Sequence, residues 1–170
     1  MINRIIHMNI VCSDLDKSLK FYRDVLGGHV VGERGTGERK GPGISRSAET
    51  AVGMGFTGTK TAEYRACLIR FGRGKLDTVI DLLQWITPPS TGKPYDTMNN
   101  VGIVRIALEV DDIEKAYNDL KAKGVEFLSA PQRTELFQSP AEGVTIKPTP
   151  IRFAMFKDPD GTALELVQFV

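Results

Sequence analysis

The sequence holds little of what builds cross-linked or cysteine-rich metal sites. Its 170 residues include two cysteines, Cys12 and Cys67, far apart and in no CxxC spacing. That pattern excludes a disulfide framework and a zinc ribbon. Charge of one sign is lacking too: 22 Lys+Arg stand against 21 Asp+Glu, a formal net charge of +1. A balanced total argues against nucleic acid or an anionic membrane as the main partner. No apolar run is long enough to span a bilayer, and the N-terminal stretch lacks the apolar core and cleavage site of a signal peptide. These absences predict a reduced, cytoplasmic, soluble protein. With 41% hydrophobic and 25% charged residues the chain has an ordinary globular composition.

Residues 4–11 (RIIHMNIV) read as a strand. Ile6, Met8 and Ile10 alternate with Ile5, His7, Asn9 and Val11, so one face is apolar and one mixed. Ser13 followed by Asp16 predicts a helix start resembling a capping box. Leu15, Leu19, Tyr22 and Leu26 then recur at helical spacing, and Gly27-Gly28 ends the helix. A strand follows at His29–Arg34. Residues 35–60 change character, with seven glycines and few large apolar side chains, and read as a long loop. Glu63–Phe71 and Leu76–Ile86 read as strands around a Gly-Arg-Gly turn. Residues 87–100 carry three prolines and no period, which predicts a linker. The pattern then restarts: strand 102–110, helix 111–124, strand 125–129, a Pro-rich loop 130–150, strand 151–156, the DPDG turn at 158–161 and strand 162–169. Asp158-Pro159-Asp160-Gly161 needs no chemistry, since Pro and Gly set the turn dihedrals.

The restart is an internal repeat. IIHMNIVCSDLDKS (5–18) aligns without gaps on IVRIALEVDDIEKA (103–116), an offset of 98. TVIDLLQW (78–85) aligns on TALELVQF (162–169), an offset of 84. The Gly-rich segment accounts for the difference. Each half therefore reads β-α-β-β-β. His7 falls on Arg105 in the first strands, and Asp81 on Glu165 in the last strands. A carboxylate in a buried strand is costly unless paired, hydrogen-bonded or metal-bound. Its recurrence at one place in both halves points to a site. A plainer structural account pairs Arg105 with Glu165 or Glu109 and leaves His7 as a satisfied interior histidine.

The segments HMNIVCSDLDKSLKFYRDVLG, ALEVDDIEKAYNDLKAKGVEF and FKDPDGTALELVQF resemble the vicinal oxygen chelate superfamily, which includes glyoxalases, bleomycin-resistance proteins and extradiol dioxygenases. The resemblance implies an α+β fold in which two paired βαβββ modules form a curved mixed sheet around a central cavity. It implies one domain over 1–170, with module 1 at 1–86, linker 87–100 and module 2 at 101–170. It also implies metal ligands from the first and last strands, which map to His7, Asp81 and Glu165. The fourth position holds Arg105, and a guanidinium cannot ligate. One divalent ion (Zn, Ni, Co, Mn or Fe) is thus implied, weakened by Arg105.

The same departure counts against a ring-cleaving dioxygenase, whose two-His-one-carboxylate site would need a histidine there. A glyoxalase- or epimerase-type lyase or isomerase fits better, with proton abstraction next to a carbonyl and metal-assisted enolate stabilisation. Glu165 or Asp81 would serve as base and Arg105 would hold an oxyanion or an anionic substrate. The alternative is a metal-free, bleomycin-resistance-like binder. Trp85, Phe153, Phe156 and Phe169 are candidates to line its pocket. Arg34, Arg39, Lys40 and Arg46 are candidates to cover an anionic group. The implied partners are a small molecule and a second copy of the chain in a homodimer, with neither nucleic acid nor membrane.

Overall fold

The computed structural model describes residues 1–32, 42–72, 74, 77–136 and 149–170. It divides into two compact units, Met1–Gly92 and Lys93–Val170.

In the first unit β1 (His7–Val11) leads into α1 (Leu15–Leu19), which runs on as a π-helical segment, Lys20–Val25. Then come β2 (His29–Val31), β3 (Gly43–Ser47), α2 (Ala48–Gly53), β4 (Ala62–Arg70) and β5 (Val79–Thr87). The sheet order is β1-β5-β4-β2, with β3 also on β4, and β1 lies parallel to β5. Alternation sorts the side chains. Ile10, Cys67, Ile69, Ile80 and Leu82 are buried on the helix side with Leu15, Leu19 and Tyr22. His7, Asn9, Asp81 and Leu83 take the other face. Gly27 ends the helix at φ +82, as expected of a C-terminal glycine.

The second unit repeats the plan with β6 (Arg105–Glu109), α3 (Ile113–Ala122), β7 (Gln132–Leu136), β8 (Thr149–Lys157) and β9 (Ala163–Phe169). Its order is β6-β9-β8-β7, with β6 parallel to β9. The chain is therefore mixed α+β, with a βαβββ unit in each half. In each half the second strand is broken in two. β2 and β3 pair with successive stretches of β4. In the second half β7 takes the place of β3, and a single bridge, Phe127 to Phe156, takes the place of β2.

Several expectations need correction. The strand expected at 125–129 is only that bridge. The loop at 130–150 contains β7, and the loop at 35–60 contains β3 and α2. Residues 33–41 and 137–148 lie outside the described residues. Helix α1 is capped by Asp14 and not Ser13. The Asp14 carboxylate accepts from the main-chain N–H of Asp16 and Lys17 at 3.0 and 3.1 Å. Asp112 caps α3 at the matching position, accepting from the Lys115 N–H at 3.0 Å. β1 starts at His7, and Ile6, just ahead of it, is 52% exposed.

Candidate functional site

In the first unit Asp81 sits at the middle of β5. Ladder register sets Asn9 of β1 on one side of it and Leu68 of β4 on the other. Residues opposite one another share a face, and residues two along are diagonal neighbours. His7, paired with Val79, is therefore a diagonal neighbour of Asp81. Val79 and Leu83 flank Asp81 along its strand, both buried. The Asp81 Oδ1 atom is buried and finds no hydrogen-bond partner among the described residues. Burial pushes the carboxyl pKa above its ordinary value, and the nearby His7 charge partly opposes that rise. A partly buried acceptor without a donor is costly to fold and is the group a ligand could satisfy.

In the second unit Glu165 occupies the matching position on β9, between Ala107 and Met155. It is buried, yet its charge is met: Arg105 Nε donates to Oε2 at 2.9 Å. The Glu165 side chain is 9% exposed and the Arg105 side chain 46%. The salt bridge that the sequence allowed as a structural account is present, whereas His7 is an exposed residue and not an interior one. The two copies have thus diverged. One keeps a carboxylate oxygen without a donor, and the other has converted its carboxylate into an ion pair.

The donors present do not make a metal site. Among the described residues no three His, Cys, Asp or Glu side chains are grouped so as to hold an ion. The first unit offers His7 and Asp81, and Glu165 is taken up by Arg105. Two donors fall short of the three or four protein ligands that zinc sites use.

Other sequence candidates are scattered. Arg34, Arg39 and Lys40 lie outside the described residues. Arg46 pairs with Glu63 at 3.5 Å on the helix side of the sheet, away from Asp81's face. Trp85 shares Asp81's face and packs edge-on against Phe56 and Tyr64, with centroids at 4.8 and 5.1 Å. Phe153 and Phe169 share Glu165's face, but Phe156 is fully buried on the helix side. Sequence reasoning missed Arg70, which register places in one row with His7 and His29.

Residues 4–166 match the Glyoxalase/Bleomycin resistance protein/Dioxygenase superfamily. The chain belongs to that superfamily. The uncharacterised protein YwkD of Bacillus subtilis strain 168 is 28% identical over 168 residues, covering 99% of this chain and 98% of its own. A glyoxalase-family protein of Bacillus cereus is similar in structure, with TM-score 0.70 at 16% identity, covering 100% of this chain and 96% of its own. Glyoxalase I of Leishmania major has TM-score 0.57 at 20% identity, over 98% and 86% of the two chains. TnmS3, an antibiotic-binding protein of a Streptomyces species, has TM-score 0.55 at 20% identity, over 99% and 98%. At these identities the structural likeness speaks for the superfamily fold. No described helix is long and apolar enough to cross a membrane.

Proposed function

We propose that this superfamily member binds a small carbonyl compound against the first unit's sheet and moves its α-proton without a metal, as a lyase or isomerase of glyoxalase or epimerase type. Asp81 is the base. The carrying observation is its buried Oδ1, which has no hydrogen-bond partner among the described residues and whose carboxyl pKa is raised by burial. A carboxylate so placed takes a proton more readily than one in water. The α C–H bond breaks, its proton passes to the Asp81 carboxylate, and its electron pair moves into the carbonyl to give an enolate. The Asn9 amide, opposite Asp81, is the nearby donor for the enolate oxygen. Return of a proton from Asp81 to that carbon regenerates the carbonyl compound, so reversible enolisation is the step that Asp81 performs, and it is the step a lyase or isomerase of this type shares. Because the donors do not suit an ion, no step is routed through one.

The second unit supports this assignment by contrast. Glu165 carries its charge against Arg105 and is the weaker base candidate, while Arg105's partly exposed guanidinium retains N–H donors for an anion. The buried thiols Cys12 and Cys67 agree with a reducing, cytoplasmic setting.

A binder is the second reading, because a ligand N–H or O–H could equally satisfy Asp81 Oδ1. The solved relatives include both a named glyoxalase I and a named antibiotic-binding protein. Hydrogen–deuterium exchange at carbon, followed by NMR in D2O on 2-oxobutyrate, 4-oxopentanoate and hydroxyacetone, separates the two. Wild type should accelerate exchange of at least one compound, and Asp81→Asn should lose a factor of about 10² to 10⁴. Saturable binding with no exchange would favour the binder. Exchange that survives Asp81→Asn would remove Asp81 as the base.

A further inference from the structure

Register assembles a basic row beside the carboxylate. His7 of β1 pairs with Val79 of β5, Val79 with Arg70 of β4, and Arg70 with His29 of β2. All four share Asp81's face, one step towards the end of the sheet where β5 begins. The two histidines are exposed and Arg70 is partly buried. Arg70 Nη1 approaches the carbonyl of Gly74 in the β4–β5 turn at 3.5 Å. Asp77, in the same turn, accepts from the main-chain N–H of Gly74 at 2.8 Å. On the next row of this face stand Asn9, Asp81, Leu68 and Val31.

The second unit repeats the row in different residues. Arg105 pairs with Ala163, and Ala163 with Lys157. Val79 stands buried between His7 and Arg70, and Ala163 buried between Arg105 and Lys157. Both copies keep basic side chains at these two positions, although the residue types at the matched positions differ. In the second unit a member of the row is bonded to the neighbouring carboxylate, through Arg105 and Glu165.

We infer that the substrate of the first unit's site is an anion, whose carboxylate or phosphate is held by Arg70, His29 and His7 while Asp81 faces the acidic C–H. This rests on the reading of Asp81 as the base. Two residues along a strand separate Asp81 from the row, roughly 6.6 Å. The ligand class is therefore a short oxo acid, or a phosphorylated carbonyl compound of similar length, with a few bonds between the anionic group and the labile hydrogen. Arg70 supplies a fixed fork of donors for such an oxyanion, and each imidazole supplies one more.

The experiment compares deuterium exchange in 4-oxopentanoate with that in its methyl ester, and 2-oxobutyrate with its own ester. Wild type should prefer the acid by at least tenfold in each series. Arg70→Gln should bring that ratio close to one, and Arg70→Lys, which keeps the charge, should restore part of it. Titration of the wild type with 4-oxopentanoate should also shift the His7 and His29 imidazole resonances, with little response to the ester. Equal rates for acid and ester, or an unchanged ratio in Arg70→Gln, would overturn the anion site and leave Asp81 as base untouched. Loss of the exchange reaction as a whole, with the imidazole response to the acid retained, would overturn the base and keep the anion site. Absence of that response would overturn the anion site whatever the exchange data show, and this arm needs no variant to fold.

Discussion

Gln84 and Gln168 make the same clasp in the two units. Gln84 accepts from the main-chain N–H of Leu15 at 3.3 Å and donates to the carbonyl of Ser13 at 2.9 Å. Gln168 accepts from Ile113 N–H at 3.3 Å and donates to Asp111 C=O at 2.7 Å. One carboxamide on the last strand thus fixes the turn between first strand and helix. An arginine on the preceding strand adds a second tie: Arg65 grips Asp16 at 2.8 and 3.0 Å, and Arg152 bonds to Glu114.

Each clasp offers both a donor and an acceptor, as only an amide side chain can at this length. Gln84→Ala and Gln168→Ala should each cost about 1–2 kcal/mol, the net value of two neutral hydrogen bonds at partly exposed groups. Urea denaturation checks this. Replacement by Glu should be worse than Gln, because a carboxylate cannot donate to Ser13 or Asp111.

The Arg105–Glu165 pair has one end buried and one end half in water. Arg105→Ala should destabilise by about 1–3 kcal/mol, since it leaves Glu165 buried without its donor. Adding Glu165→Leu to Arg105→Ala should recover most of that loss. A double-mutant cycle measures the coupling, and additive single costs would contradict an energetically meaningful pair.

The repeat was legible because strand residues face the core with period two and cannot drift far. β1 over β6 and β5 over β9 keep the offsets of 98 and 84 in the observed ladders. What the sequence hid lies at the edges. β7 is Gln-Arg-Thr-Glu-Leu and β3 is Gly-Ile-Ser-Arg-Ser, both lacking the apolar alternation of a strand with one buried face. The capping pattern misled because Ser13 has an acid three residues on, while Asp14, the true cap, has Lys17 there. The positions of Asp81 and Glu165 were readable from the repeat, but their opposite environments were not, because hydrogen-bond partners are set by three-dimensional packing. The grouping of Arg70 and His29 escaped notice for a related reason. They join His7 only through the lateral register of four strands.

Asp81 should make the protein less stable as pH rises. Its carboxyl pKa is raised in the fold by burial, while the unfolded chain keeps an ordinary value near 3.9. Below that value both states are protonated and the residue costs nothing. As pH climbs through the folded value the native state holds its proton longer, so stability falls, and above it the cost is complete. Asp81→Asn should therefore be more stable than wild type at pH 7, by about 1 kcal/mol, as is common when a strained functional group is replaced. That advantage should vanish in acid. Thermal melts of both proteins between pH 3 and 7 test the sign, and an Asn variant that is less stable at neutral pH would contradict the burial penalty.

Metal uptake provides the last test, and its logic turns on Arg105. In wild type the guanidinium occupies Glu165 Oε2 and brings a positive charge to the place where an ion would need a donor. Repulsion between unit charges at 4 Å is worth about 4 kcal/mol at an effective dielectric near 20. Wild type dialysed against chelator should keep its exchange activity, and Zn, Ni, Co, Mn or Fe(II) should bind weakly. Arg105→His removes the charge, frees the carboxylate and adds an imidazole, so metal affinity should rise tenfold or more. Calorimetric titration of both apo proteins reads this directly. Tight binding of one ion per wild-type chain would show that Arg105 does not keep an ion from Glu165, and activity lost on chelation and restored by metal would end the metal-free account of Asp81.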